Sequence, residues 1–362
     1  MSDLISVGQV LELRDASDSN EFWAASLRES TGLSDVALLR LSDGPPYGLN
    51  KGDPRFPVWS EFLEWQRDAG LPVYVEAEGS TRVVREIFPA FPYRVNSVST
   101  TPVEGRLPVT LRTSPAIFYL NPALPRFSEL REKLERASLS GEEVLVTHHP
   151  LTLEIIDVRD VPSDAPELGN GGLLVGADSS AFAETEFAAP ASKITLVEAR
   201  EAFHFLAGSD IPFFFVRDCC TARAQKMCRL LREERNISAR KIWNYGHGFR
   251  QNAATLFIRT KTDPSGKVFW RYHVAPTVSV VDADVDTMVI DPAIFKDGPV
   301  SIDTWVEEQN DGGAMQLPSS ASVYENNPFG PDLFDPGPRA VDRLLNHHIG
   351  KWRLGKLYLD LF

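Results

Sequence analysis

The chain has 362 residues, 43% hydrophobic and 24% charged, with a net charge of −13. That length allows two domains with substantial cores, and the composition is that of a soluble globular protein. The acidic balance disfavours nucleic acid or an anionic membrane as a general partner, since both need basic surface, and leaves room only for a local basic patch; no apolar run reaches membrane-spanning length.

The start of the chain, Met1 to Ser6, lacks a basic segment, an apolar core and a small-residue cleavage site. A cytoplasmic product is therefore the expectation, with signal-independent export as an effector left open. Residues 1–161 read as a mainly β accessory domain, with strands at 7–13, 33–41, 71–76, 83–88, 94–98 and 107–111. A helix is expected over 128–137 with Ser128 as N-cap, then a hairpin of 143–147 and 151–158. Many short strands with few helices imply a small barrel or sandwich. Residues 162–193, rich in Pro, Gly, Ala, Ser and acids, read as a linker. Gly169-Asn170-Gly171-Gly172 within it lacks the Lys-Ser/Thr of a phosphate loop.

Residues 194–362 read as a second domain. Thr195 caps a helix to about 206, with Ala199, Phe203 and Leu206 on one face. The apolar run 211–216 leads into Arg217-Asp218-Cys219-Cys220 and a helix over 221–234. Strands follow at 241–245, 255–260 and 268–272, then a hairpin of 272–280 and 287–292 around the acidic turn 281–286. The stretch 310–338 is Pro-, Gly- and Asn-rich and reads as irregular, before a last helix over 339–347. The pairs His148-His149 and His347-His348 read as surface residues.

Three cysteines, Cys219, Cys220 and Cys228, are too few and too clustered for a disulfide framework. No spacing suggests zinc. Cys220 lies at the N-terminal edge of the predicted helix, where free N–H groups and the helix dipole lower a thiol pKa and can hold an oxyanion. Asp218 is placed as N-cap. Cys220, Ala224, Met227 and Leu231 share the inward face. On pattern alone, a reactive thiol and a small core residue weigh evenly for Cys220. Cys219 lies about 100° away round the helix and is assigned to packing; Cys228 is assigned to the core.

Folding the hairpin about Asp282 sets His273 opposite Asp291. A carboxylate there fixes the tautomer of an imidazole and stabilises its cation, the orienting half of a catalytic triad. The cations Arg223, Lys226, Arg229, Arg232 and Arg235 recur every three residues, wind around the helix and read as solvated. Trp243, Trp270 and Tyr272 flank the hairpin as pocket wall or as core.

Three segments resemble the motifs of bacterial protein-glutaminases, which deamidate protein-bound glutamine. They are Asp218-Cys219-Cys220-Thr221-Ala222-Arg223-Ala224-Gln225-Lys226-Met227, Trp270-Arg271-Tyr272-His273-Val274-Ala275 and Val289-Ile290-Asp291-Pro292-Ala293-Ile294-Phe295, followed by Gly298-Pro299-Val300 and Trp305. The resemblance spans about 194–305. It implies Cys220 as nucleophile, His273 as base, Asp291 as orienter, and an α+β fold related to papain and transglutaminase, with a helix packed on an antiparallel sheet. Cys219 stands where a small residue such as glycine is typical. The stretch between Tyr245 and Trp270 is longer than usual, and the disulfide cysteines of secreted members are missing.

The implied reaction is hydrolysis of a glutamine carboxamide in a protein or peptide through a thioester at Cys220, with no metal or organic cofactor. Transglutaminase, cysteine protease and inactive binding domain are the competing readings. The first domain is expected either to mask the active site or to recruit or deliver.

Overall fold

The computed structural model describes residues 4–15, 29, 35–42, 44–68, 70–161, 191–261, 263, 266–329 and 332–360. Most of the expected linker and its glycine motif lie outside the described residues. The chain forms two compact units. One is Met1–Arg94, Tyr119–Val161 and Ile349–Phe362; the other is Val95–Phe118 and Pro162–His348. The sequence reading drew its boundaries at 161 and 193, whereas here residues 95–118 group with the motif-bearing unit. No described helix is long and apolar enough to cross a membrane.

The first unit is built on an antiparallel sheet. Its strands are β1 (Leu4–Asp15), β2 (Val36–Leu41), β3 (Tyr47–Asn50), β4 (Pro72–Ala77) and the start of β5 (Val84–Val98), in the order β3-β2-β1-β4-β5. After β6 (Leu107–Leu111) and β7 (Ile117–Leu120) the chain returns as β8 (Glu143–His148), which pairs with β5, and β9 (Ile155–Asp160), which pairs with β8. The sequence reads two strands where β5 is one, because Pro89 and Pro92 lack ladder donors and look like breaks.

Helix α1 (Phe56–Asp68) has no counterpart among the expected elements. It starts with Pro57 one residue in, where a missing N–H costs nothing, and buries Trp59, Phe62 and Leu63 against Leu39, Val73, Val75 and Ile87. Helix α2 (Phe127–Ser140) corrects the expected Ser128 cap: Arg126 occupies that position and makes no side-chain cap. Its guanidinium instead bridges Glu129 at 2.7 Å and Asp157 at 2.9 Å. His148 is fully buried, against its surface assignment.

The second unit carries β10 (Lys193–Ile194), α3 (Leu196–Ala207), α4 (Cys220–Arg235), β11 (Arg240–Tyr245), β12 (Leu256–Arg259), β13 (Lys267–Trp270), β14 (Tyr272–Val280), β15 (Thr287–Val289), β16 (Val300–Ser301), α5 (Ile302–Glu308), β17 (Met315–Ser320), β18 (Val323–Glu325), β19 (Leu333–Phe334) and α6 (Pro338–Asp360), the last of which runs on into the first unit. The central sheet runs β16-β15-β14-β11-β17, antiparallel, with β10 parallel beside β14. The fold is thus α+β, with helices laid on antiparallel sheets.

Thr195 and Glu198 form a capping box at the start of α3. Ala199, Phe203 and Leu206 of α3 meet Met227 and Leu231 of α4 over Val278 and Val280 of β14. That contact seats α4 on the strand that carries His273. The segment expected to be irregular holds β17, β18 and β19. Strand β17 adds to the open edge of β11, where Pro318 is tolerated and backbone pairing, not apolar alternation, makes the strand. His347 and His348 are buried rather than exposed, and His348 stacks on Phe215 with centroids 5.5 Å apart.

Candidate active site

The loop before α4 ends in a left-handed turn. Cys219 has φ +76° and occupies the N-cap without a side-chain cap, so Asp218 is not the cap that the sequence predicts. Asp218 turns the chain one residue earlier: its Oδ1 accepts the Cys219 N–H at 2.7 Å. A β-carbon in the left-handed region costs about 1–2 kcal/mol, the physical reason for a glycine at this position. Cys219→Gly is therefore expected to change stability by no more than about 1 kcal/mol, strain relief offsetting the lost packing. Cys219→Val, β-branched at the same φ, should cost about 2 kcal/mol or more. Urea unfolding of both variants checks the order.

Arg223 stands one turn into α4. It is 2% exposed, so its assignment to a solvated stripe is corrected. Arg229 is buried as well and pairs with Asp335 at 3.3 Å. The Nη1 of Arg223 donates to the carbonyls of Phe215 and Asp218, tying down both ends of the turn that leads to Cys220. Its Nη2 is buried without a hydrogen-bond partner. The signal in the sequence was position: three residues from Cys220, Arg223 shares its face.

Cys220 is 2% exposed and packs with Ala224, Trp243, Tyr245, Tyr272 and Val274. Burial pushes its thiol up to about 12, although the Arg223 charge and the Val274 N–H both favour the thiolate. The helix-start expectation of a lowered thiol pKa is thus reversed in this conformation, because desolvation outweighs the local positive field. Cys219 and Cys228 are buried too, as assigned.

His273 lies on β14 and Asp291 just beyond β15. The register pairs Thr277 with Val289, which sets Asp291 across from Ala275 rather than from His273. His273 is two residues along on the same face, the diagonal neighbour position. His273 Nε2 and Asp291 Oδ2 are 2.8 Å apart. Trp305 from α5 donates its indole N–H to the same oxygen at 2.9 Å, and the Ala293 N–H donates to Oδ1 at 3.2 Å. Burial acts to raise the Asp291 carboxyl, but the facing His273 and the donated bonds hold it below the usual carboxylate range. With its folded pKa depressed, Asp291 stabilises the fold above about pH 4 and loses that contribution as pH falls further.

Trp270 stacks on the His273 ring at 4.6 Å, and Trp305 flanks it at 5.6 Å. Asn244, opposite His273 on β11, donates to Gln309, whose own amide donates to the Trp305 carbonyl. His273 Nδ1 is left buried and without a partner. The structure therefore sets His273 against Asp291 and packs Cys220 against Val274, the residue after His273. Of the three aromatics, Trp270 is the floor under the imidazole, while Trp243 is core. Tyr272 lines a cavity of about 240 Å3 with Phe249, Arg250, Asn326 and Phe329.

Residues 111–115 cross the same region. Thr221 donates to the Thr113 carbonyl at 3.2 Å. Arg271 donates its backbone N–H to Pro115 and its guanidinium to Ser114, both at 2.9 Å. Arg112 pairs with Glu325 at 3.5 Å. Nothing in the residue pattern of 95–118 marks it as part of this unit; the contacts are long-range and made mostly to backbone.

Residues 193–309 match the family model described as Glutaminase. No curated protein matches the chain. Among solved structures, the crystal structure of a pro-protein-glutaminase is 21% identical, covering 68% of this chain and 88% of its own, with a TM-score of 0.49. A crystal structure of protein-glutaminase is 28% identical, covering 40% of this chain and 83% of its own, with a TM-score of 0.34. The NMR structure of protein-glutaminase from Chryseobacterium proteolyticum is 25% identical over 40% of this chain and 80% of its own, with a TM-score of 0.34. The segment 193–309, the part of the chain that matches the Glutaminase model, holds Cys220, His273 and Asp291.

Proposed function

We propose that the second unit hydrolyses the side-chain carboxamide of protein-bound glutamine, with Cys220 as nucleophile, His273 as base and Asp291 as its orienter. The observation that carries this reading is the division of labour at His273. Nε2 is held by Asp291, and Nδ1 is free on a strand whose next residue contacts the cysteine. A cysteine at a helix start together with a histidine on a strand of an antiparallel sheet is also the combination that papain-like and transglutaminase-like hydrolases use.

In this reaction His273 Nδ1 takes the thiol proton as Cys220 Sγ attacks the carboxamide carbon. The backbone N–H of Cys220, at the N-terminus of α4, holds the oxyanion. His273 returns the proton to nitrogen, ammonia leaves, and a thioester remains. His273 then takes a proton from water, hydroxide adds to the thioester, and glutamate and free thiol are released. Mass spectrometry of a treated protein tests the reaction type. Deamidation adds about one mass unit at each reacted glutamine without chain cleavage. An added amine joined to glutamine would mean transglutamination, and new chain ends would mean proteolysis.

Cys220 is buried in the conformation described here. We infer that residues 111–115, fastened by Thr221, Arg271 and the Arg112–Glu325 pair, cover this part of the unit. Trp243, Tyr245, Tyr272 and Val274 bury Cys220 from within, and the cover closes the approach to them. Iodoacetamide is thus expected to alkylate Cys220 far more slowly in the intact chain than after unfolding. Arg112→Ala should speed the labelling several-fold by releasing one fastening. Equal labelling rates in the two proteins would remove the cover from the account.

A further inference from the structure

A groove of about 860 Å3 opens in the second unit beside the site. Phe214, Val216, Ile258 and Ile294 make it apolar, and Phe214 is 41% exposed. Among the described residues, Arg259, Lys261 and Lys296 line it with a single carboxylate, Glu308. The loop acid Asp263 is already paired with Arg217. The groove is therefore cationic on a chain whose net charge is −13.

Its place in the fold ties it to the chemistry. Pro292 and Ala293 in its wall directly follow Asp291. The Val216 carbonyl, also in the wall, accepts the indole N–H of Trp270 at 2.9 Å, and Trp270 stacks on His273. One layer of side chains thus separates the groove from the imidazole. The catalytic residues themselves offer nothing that would select among glutamines in a protein. A flanking surface of opposite charge to the rest of the molecule does, because it attracts an acidic chain that the remaining surface repels.

We propose that this groove binds an acidic stretch of the protein substrate, bearing an apolar or aromatic residue among its carboxylates, and so directs deamidation to glutamines near such stretches. The cations take the carboxylates, and Phe214 with Ile258 and Ile294 takes the apolar residue. The role in substrate choice rests on the glutaminase reading; the binding itself does not. Nucleic acid is the less favoured occupant, since the overall charge opposes a polyanion longer than the groove.

Two measurements on the full chain test this. In the first, fluorescein-labelled Glu-Glu-Phe-Glu-Glu-Phe-Glu and its Lys-for-Glu counterpart are titrated by fluorescence anisotropy. The acidic peptide should bind at least about ten-fold more tightly, weaken as salt is raised, and lose about ten-fold in the Arg259→Glu/Lys261→Glu/Lys296→Glu variant, with Arg259→Ala/Lys261→Ala/Lys296→Ala intermediate. Equal binding of the two peptides, an unchanged Kd in the reversal variant, or tighter binding of labelled oligothymidylate would overturn the proposal. In the second, ammonia release is compared for a blocked Gln dipeptide and a Gln peptide carrying the acidic sequence. The reversal should raise KM for the acidic peptide and leave the dipeptide unchanged; equal effects on both overturn the role in selection. Tight, salt-sensitive peptide binding with no ammonia from either substrate, in the intact chain and in Arg112→Ala alike, would uphold the groove and defeat the glutaminase reading alone.

Discussion

Asp291→Ala is expected to lower turnover of a glutamine substrate by about a thousand-fold or more. The carboxylate does three things at once. It fixes His273 through Nε2, supplies the counter-charge for the imidazolium, and receives the Trp305 indole. Removing it leaves two buried donors unsatisfied and frees the ring to turn between Trp270 and Trp305. Stability should fall as well, by about 2–4 kcal/mol. Asp291→Asn separates these contributions. The amide oxygen still accepts a hydrogen bond and the site stays filled, but the negative charge is gone. Its activity should lie between wild type and Asp291→Ala. Steady-state ammonia release checks the ranking, and an Asn variant as impaired as the Ala variant would show that charge, not orientation, dominates.

Arg223→Ala should be the most damaging change outside the triad. The side chain donates to two buried carbonyls, those of Phe215 and Asp218, that bracket the turn into Cys220. Leaving both unsatisfied costs about 2–5 kcal/mol, and the loosened turn should displace the sulfur enough to lose about a hundred-fold in rate. Arg223→Lys keeps the charge next to Cys220, but its shorter side chain stops short of the Nη1 position from which both carbonyls are reached, so it should recover part of the activity and less of the stability. Urea unfolding with ammonia release separates the two effects. Wild-type stability in Arg223→Ala would mean that the turn holds without its clamp.

The site was more legible in the sequence than its setting. The helix start at Cys220 and the pairing of His273 with Asp291 could be anticipated because a helix start and a hairpin are local features with local signals. The register slipped by two residues, since a six-residue acidic turn does not define its own centre, yet a slip of two keeps the same face. What stayed hidden was non-local. Arg223 looked solvated because a three-residue spacing of cations says nothing of which side packs inward. The buried His347 and His348 looked superficial for the same reason. Strand β17 has weak strand propensity and exists because β11 has an open edge to fill. Residues 111–115 are held by backbone carbonyls, which leave no trace in residue type. Position 219 was the reverse case: the small residue typical there became intelligible once its φ was known, and Cys219 stands against it.

If Cys220 turns over glutamine, ammonia release depends on its thiol. The most direct measurement is ammonia release from a glutamine-rich protein by wild type, Cys220→Ala and Cys219→Ala, each in the full chain and after an Arg112→Ala change that loosens the cover. Release should disappear with Cys220→Ala, persist with Cys219→Ala and rise when the cover is loosened. Release that survives Cys220→Ala, or that vanishes only with Cys219→Ala, would contradict it.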